Sequence, residues 1–238
     1  MFGIIGGLGP RATTKFYSTL INRVSSRVEG RLPRLLIYSI AMSPQIENAF
    51  LQGKVTSQSP ERVQVRNLLN EAVNYFLRNQ VEILAMPCNT LQDELSSICQ
   101  TRNILNLNMV DETAKAILKA NVKRLFVLGT ASTCRDNLYG QRLARHHIEC
   151  VYPKETQQNF IEKYIRDALD QNLNQELKNT FSQMVKEKAK GCDGILIACT
   201  DLTGDVSSEL CHLQVFDSLQ LLAQASAEHI LTKKELFI

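Results

Sequence analysis

The sequence predicts a parallel α/β fold with two similar lobes, and two observations carry that prediction. Short apolar runs alternate with longer segments of helical periodicity, which is the pattern of parallel sheets flanked by helices. The chain also looks duplicated, because each half opens with a glycine-containing apolar run and closes with an apolar run followed by a cysteine and polar residues. Its 238 residues suffice for one large domain or two small ones. We therefore expect two pseudo-symmetric lobes that face each other, each with a small parallel sheet.

The strands are predicted from the apolar runs, and the helices from the amphipathic spacing between them. The clearest helix is Pro60–Arg78, because its apolar side chains recur at i, i+3 and i+4 and so share one face. In chain order the predicted strands are Phe2–Ile5, Leu35–Ile40, Ile83–Met86, a weaker one at Ile104–Leu107, Arg124–Leu128, Glu149–Tyr152, Gly194–Ala198 and Leu213–Phe216. The other predicted helices are Pro10–Val28, Leu91–Gln100, Glu112–Lys119, Arg135–His146, Glu155–Leu169, Gln175–Lys190 and Ser218–Leu231.

Composition excludes several classes of protein. Apolar residues make up 44% and charged residues 21%, as in an ordinary globular protein, and the net charge of +3 is spread along the chain without a basic run that indicates nucleic acid. No apolar run approaches the roughly 18 residues of a membrane helix, and no signal peptide is recognised, so we expect a cytoplasmic protein. The seven cysteines include no C-x-x-C pair, which argues against a zinc or redox motif and favours reduced thiols.

Four loops that follow predicted strands are candidates for chemistry, since ligands of open α/β sheets bind beyond the carboxyl ends of strands. In the first loop, Gly9 lets the backbone approach a ligand, and Pro10 suits the first position of a helix. The glycine spacing from Gly6 onward is not that of a dinucleotide-binding turn. A plain strand-to-helix turn remains the alternative for this loop.

The second loop carries Cys88, Asn89 and Thr90 directly after an apolar strand. Thr90 and Asp93 have the spacing of a capping box, which predicts a helix start just after the cysteine. A thiol at a helix N-terminus is expected to have a pKa below about 8.5. The side chains of Asn89 and Thr90, with nearby N–H groups, could hold a carboxylate.

The third and fourth loops repeat this arrangement in the second half of the chain. Thr130 and Thr133 follow one strand and could form another turn that binds a carboxylate or ammonium group of the substrate. Thr133 with Asp136 has the spacing of another capping box, so a helix cap alone would also explain the pair. Cys199 and Thr200 follow another strand and mirror the second loop. The acid after them, Asp201, could orient the thiol or hold an amino group, or it could be a solvated turn residue. The remaining cysteines are interpreted as structural by default: Cys99, Cys134, Cys150, Cys192 and Cys211.

Two thiols suit the inversion of an α-carbon, because this reaction needs a base on one face of the carbon and an acid on the other. One thiolate removes the proton while the opposing thiol returns a different one, and the same pair serves both directions. The enolate-like charge that develops needs preorganised donors, which Asn89, Thr90, Thr130 and Thr200 could supply. The histidines and acids show no metal-ligand spacing, and no motif for a pyridoxal phosphate lysine is recognised.

Taken together, these loops resemble the aspartate/glutamate racemase family, which includes hydantoin racemases. The resemblance runs through nearly the whole chain and rests on five motifs in order: Gly6-Gly-Leu-Gly-Pro10 with Ala12-Thr13, Ala85-Met-Pro-Cys88-Asn-Thr90, Leu128-Gly-Thr-x-x-Thr133 with Tyr139-x-x-Arg142-Leu143, Ile195-Leu-Ile-Ala-Cys199-Thr-Asp-Leu202, and Val215-Phe-Asp-Ser218. It implies that Cys88 and Cys199 are the two acid/base thiols, in a site between the lobes. It also implies a homodimer that uses no cofactor.

The resemblance further implies how the chain is divided. The first lobe is expected to comprise residues 1–110 and 216–238, and the second lobe to be an insertion of residues 111–215. The substrate is expected to be a small amino acid, with no nucleic acid or membrane partner. Aspartate-specific members carry a Pro-Asp-Arg-Thr stretch where this chain reads Ser43–Phe50 without an arginine, so a neutral or larger amino acid is at least as well supported as aspartate. The alternatives are a hydantoin or maleate-like substrate for the same thiols, or a catalytically silent binding protein.

Overall fold

The computed structural model describes residues 1–56, 58–208, 212–233 and 236–237, and it contains two parallel sheets of four strands each. The first sheet has the order β2-β1-β3-β4 and the second the order β6-β5-β7-β8. The strands of the first sheet are β1 (Phe2–Gly6), β2 (Leu35–Ser39), β3 (Ile83–Ala85) and β4 (Leu105–Leu107). Those of the second are β5 (Arg124–Gly129), β6 (Glu149–Val151), β7 (Gly194–Ala198) and β8 (Gln214–Asp217). The predicted fold class is thereby confirmed.

The helices connect the parallel strands and cover both faces of each sheet. They are α1 (Pro10–Ser25), α2 (Pro44–Leu51), α3 (Pro60–Arg78), α4 (Gln92–Arg102), α5 (Met109–Leu118), α6 (Ala131–Arg135), α7 (Gly140–Leu143), α8 (Glu155–Leu169), α9 (Gln175–Lys188) and α10 (Ser218–Thr232). In the described part of the chain, no helix is long and apolar enough to span a membrane.

Alternation along the strands divides the core into one layer on each face of each sheet. In β1, Ile5 packs with α3 and α4, while Phe2 and Ile4 pack with α1 and α10. In β7, Ile195 and Ile197 face α8 and α9, whereas Leu196 and Ala198 face α5. All five residues of β1 and of β7 are buried, as expected for central parallel strands. Each fully buried Ile or Phe contributes roughly 1.5–3 kcal/mol to folding.

The last helix, α10, returns to the first sheet, where it packs against α1. Its N-terminus is capped by Asp217, whose side chain accepts hydrogen bonds from the N–H groups of Leu219 and Gln220. Helix α5 contacts both α10 and β8, and its buried residues divide between the first and second sheets. The two helices therefore connect the lobes on the side away from α3.

One helix was missed and one predicted helix is wrong. Helix α2 was not predicted, although Ser43 caps it by accepting a hydrogen bond from the Ile46 N–H and Pro44 opens it. The predicted helix Arg135–His146 is broken into α6, α7 and a 3₁₀ turn at Ala144–His146. The break lies at Asn137, whose φ of 52° is left-handed and cannot continue a right-handed helix.

Both predicted capping boxes are also wrong. Thr90 does not cap α4, which begins at Gln92 after Leu91 and has no side-chain cap. Thr133 lies inside α6, which is capped by Thr130 through a hydrogen bond accepted from the Thr133 N–H. The boundaries of the other predicted elements agree with the structure to within three residues.

Candidate active site

The loops after the strands of both sheets line one cavity between the lobes. Cys88, Asn89 and Thr90 reach it from the loop after β3, and Thr130 from the loop after β5. The segment Ala198–Asp201 reaches it from the end of β7. The cavity volume is about 60 Å³. In the orders β2-β1-β3-β4 and β6-β5-β7-β8, β3 and β7 hold equivalent positions, so the two cysteines approach the cavity from equivalent places in the two lobes.

The thiols of Cys88 and Cys199 both line this cavity, Cys88 half-buried and Cys199 buried. They are close enough for repulsion from Cys88 to help raise the pKa of Cys199. Burial raises the pKa of Cys88 to about 12, and hydrogen bonds from the N–H groups of Leu91 and Thr90 offset only part of that effect. The expected fall in the thiol pKa is therefore wrong for the ligand-free site, because loss of water around the thiolate outweighs the N–H groups at the start of the helix.

Asp201 lies beside the second thiol and is not a solvated turn residue. The Cys199 Sγ donates to Asp201 Oδ2 across 3.9 Å. Burial, followed by repulsion from Glu47, raises the pKa of Asp201 to about 6, while Arg11 and Lys15 act in the opposite direction. Asp201 is therefore ionised at neutral pH, and it provides a negative charge beside the thiol.

A cluster of three threonine hydroxyls joins the two lobes at one wall of the cavity. Thr90 Oγ1 lies 3.2 Å from Thr130 Oγ1 and 3.2 Å from Thr133 Oγ1. The Thr130 hydroxyl lies 3.0 Å from that of Thr133. Thr90 and Thr130 line the cavity directly, whereas Thr133 reaches it only through them. Hydroxyls can donate to a carboxylate, so the cluster suits an anionic group of a ligand.

Asn89 is held in place from both of its amide ends. Its Nδ2 donates to Ser218 Oγ at 3.0 Å, and its Oδ1 accepts from the Tyr139 hydroxyl. Tyr139 and Ser218 are both fully buried. Burial raises the pKa of Tyr139, so the phenol stays protonated and remains a donor. The arrangement fixes the orientation of the Asn89 amide at the cavity wall.

The structure brings most of the predicted site residues together, but not all of them. Gly9 does not line the cavity. A Cβ on it would lie 3.6 Å from Asp201 Oδ1, an ordinary contact distance, so it is the φ of 89° and not a lack of space that favours glycine there. Pro10 is exposed on the outer surface beside Arg11, where it opens α1. The predicted residues that line the cavity are Cys88, Asn89, Thr90, Thr130, Cys199 and Thr200.

The sequence analysis missed the side of the cavity formed by α2 and the end of α8. Glu47, Phe50 and Leu51 come from α2, and Leu169 comes from α8. A serine followed by proline at the start of an apolar-periodic segment is a helix-start signal, so α2 could have been found from Ser43-Pro44. No local signal indicates that α2 packs over the cavity. In the described ranges, no three histidine, cysteine or acidic side chains converge as a metal site. Cys211 lies outside those ranges.

Comparison with known proteins identifies the family. The model of the Asp/Glu/hydantoin racemase family matches residues 5–226. This chain belongs to that family. A curated member, the broad specificity amino-acid racemase RacX of Bacillus subtilis, is 23% identical over 230 residues, which cover 95% of this chain and 96% of RacX. The family prediction from the loop motifs is confirmed, and relatives of this kind are isomerases.

Solved structures share the two-lobed fold. An aspartate racemase homologue from Pyrococcus horikoshii OT3 matches with a TM-score of 0.78 and 24% identity, covering 97% of this chain and 98% of that chain. A glutamate racemase from Thermus thermophilus matches with a TM-score of 0.67 and 17% identity, covering 99% of this chain and 82% of that chain. At these identities the match concerns the fold.

Proposed function

We propose that this protein is an amino-acid racemase or epimerase that moves the α-proton of its substrate with Cys88 and Cys199 and uses no cofactor. The observation that carries the proposal is the pair of thiols lining one cavity from equivalent strands of two lobes. Membership of the racemase family and similarity to a broad specificity amino-acid racemase support the same activity. The substrate class remains broad in this proposal, from aspartate-like to larger amino acids.

In the proposed reaction, one cysteine acts as a thiolate and the other as a thiol. The thiolate takes the proton from the α-carbon, so that a C–H bond breaks and an S–H bond forms. The opposing thiol then gives its proton to the other face of the carbon and becomes the thiolate. The electron pair released at the α-carbon is held meanwhile on the substrate carboxylate as an enolate-like dianion, which donors must stabilise.

The polar residues around the thiols suit this charge distribution. The hydroxyls of Thr90, Thr130 and Thr200 are the proposed donors to the substrate carboxylate, and the ionised Asp201 is the proposed partner of the α-ammonium group. That ammonium would bring positive charge to a cavity where Asp201 opposes ionisation of both thiols. Substrate binding would therefore lower the pKa of the thiol that acts as base, which is otherwise protonated at neutral pH.

The test is exchange of the α-proton in heavy water, followed by proton NMR for a panel of L- and D-amino acids, with EDTA present and no cofactor added. We expect exchange for a subset of the panel, with no measurable exchange in Cys88→Ala or Cys199→Ala. Cys150→Ala, which removes a half-buried free cysteine on β6, serves as the matched control and should keep full exchange. Full exchange in either active-site variant would contradict the two-thiol mechanism. If folded, reduced wild-type protein exchanges no amino acid, hydantoins and diacids are tested as substrates. If these do not react either, the protein is a binding protein without this activity.

A further inference from the structure

Glu47 brings to the cavity a carboxylate that has no partner among the described residues. It projects from α2, is half-buried, and lines the cavity among apolar neighbours that include Phe50, Leu51 and Leu169. Within the described ranges, its carboxylate makes no hydrogen bond or ion pair. Partial burial among apolar groups makes the ionised carboxylate less favourable than it is in water, and a nearby cation would offset that cost. A positively charged ligand group in this part of the cavity would therefore be stabilised by the Glu47 carboxylate.

The surroundings of Glu47 add negative potential. Burial, followed by repulsion from the exposed Asp170, raises the pKa of Glu47, and Glu47 in turn repels Asp201. Helix α8 ends beside the cavity at Leu169, so the negative end of its dipole also lies there.

No basic side chain enters the cavity to balance these charges, among the residues that the structure describes. The cations that act on Asp201 are Arg11 and Lys15, which are exposed on α1. Each donates to a backbone carbonyl: Arg11 to that of Ala168 and Lys15 to that of Thr203. Arg11 and Lys15 therefore act on the cavity from outside, and they offset only part of its negative charge, because the pKa of Asp201 stays raised to about 6.

A zwitterionic amino acid leaves this charge unbalanced. In the proposed function its carboxylate binds the threonine hydroxyls and its ammonium binds Asp201, so no group of the amino-acid core remains for Glu47. A side-chain carboxylate there would meet repulsion from Glu47, whereas a side-chain ammonium or guanidinium would pair with it. Resting on the proposed function, we propose that the preferred substrates are amino acids with a cationic side chain, and that Glu47 selects them.

The test compares kcat/KM for α-proton exchange among three sets of substrates: ornithine and lysine, the uncharged norvaline and norleucine of similar length, and aspartate and glutamate. We expect the wild-type protein to favour the cationic set over the uncharged set by about 10- to 100-fold, the range for a hydrogen bond to a charged partner. The acidic set should be the poorest. In Glu47→Gln the ratio of kcat/KM for lysine to kcat/KM for norleucine should fall to within about 3-fold of unity, whatever the change in kcat/KM for norleucine itself. Glu228→Gln, which makes the same change at an exposed site on α10, should leave all values as in the wild type.

Each outcome bears on the proposal. A wild-type protein that exchanges aspartate or norleucine as well as ornithine would overturn it and leave the proposed function standing. An equal loss for lysine and norleucine in Glu47→Gln would also overturn it, because Glu47 would then have only a structural role. Exchange of no amino acid at all would overturn the proposed function together with this inference. The wild-type preference does not depend on the variant folding, so the comparison stays decisive.

Discussion

At the scale of the residue, the most informative group is Asp201. Its pKa is raised from 3.8 to about 6, so the folded protein binds this proton more tightly than the unfolded chain does. The stability that this contributes is present below the unfolded pKa and is lost as the pH rises through about 6. At pH 8 the protein therefore carries an ionised acid that stability alone would not select. Its proposed role with the substrate ammonium explains why such a group is kept.

Asp201→Asn is expected to raise stability and lower activity. At pH 8 the neutral amide removes the free-energy cost of burying an ionised carboxylate, so we expect Tm to rise by roughly 2–6 °C. At pH 5, where the wild-type acid is protonated, the rise in Tm should be smaller.

In the wild type, kcat/KM should fall as the pH drops below about 6, because the protonated acid no longer attracts the substrate ammonium. Thermal unfolding at the two pH values and a pH–rate profile provide the measurements. A larger gain in Tm at pH 5 than at pH 8 would contradict the assignment.

A local pattern found the two cysteines of the cavity, but the same kind of pattern also selected Gly9 and Pro10, which do not line it. Cys88 and Cys199 each follow an apolar strand and precede polar residues, and parallel strands bring such loops to one edge of a sheet. Glu47 had no such mark, because its place in the cavity depends on how α2 packs between lobes. The pKa of Cys88 was predicted in the wrong direction, since burial cannot be read from the residues that follow the thiol.

At the scale of the element, long periodic helices were predictable and short ones were not. Helix α3 has 19 residues with a repeated apolar face, and its predicted bounds are those found. Helices α6 and α7 have five and four residues, too few to show a period, and the turn between them depends on the left-handed backbone of Asn137. The turn is supported by tertiary contacts, including a hydrogen bond that the Asn137 side chain accepts from the Tyr152 hydroxyl.

Helix α5 depends on a buried N-cap that can be tested away from the chemistry. Asn108 accepts hydrogen bonds from the N–H groups of Val110 and Asp111. We expect Asn108→Ala to lower stability by about 1–2 kcal/mol, or Tm by about 2–8 °C, with kcat/KM nearly unchanged. Asn108→Asp keeps a capping oxygen and is the matched control, with a smaller loss. Equal Tm values for the alanine variant and the wild type would show that the cap contributes nothing.

At the scale of the whole molecule, the duplicated architecture is what brings the two proposed catalytic thiols to one cavity. The two sheets share one strand order, so a cysteine after β3 and a cysteine after β7 reach the cleft from opposite lobes. Side chains also tie the lobes together across the cleft: Thr90 contacts the hydroxyls of Thr130 and Thr133, and Asn89 accepts from Tyr139. These contacts align the two halves of the site.

The sequence predicted this architecture because the repeat is visible in the order of its apolar runs and cysteines. The sequence also predicted that the lobes face each other, but not which helices hold them in place, since that depends on α5 and α10 packing against both halves of the chain. The division into residues 1–110 with 216–238 and residues 111–215 stays a prediction. The homodimer expected from the family resemblance also stays one.

The most direct measurement of the central claim follows the isotope at the α-carbon during conversion of a single enantiomer. The amino acid that exchanges fastest is supplied as one pure enantiomer in heavy water. At low conversion the two enantiomers are separated, and the deuterium content of each is measured by mass spectrometry. Two thiols on opposite faces predict that the product carries deuterium while the remaining substrate keeps its proton, because different groups remove and return the hydrogen. A product that retains the original proton, or deuterium appearing equally in substrate and product, would mean that one base serves both faces and would contradict the two-thiol account.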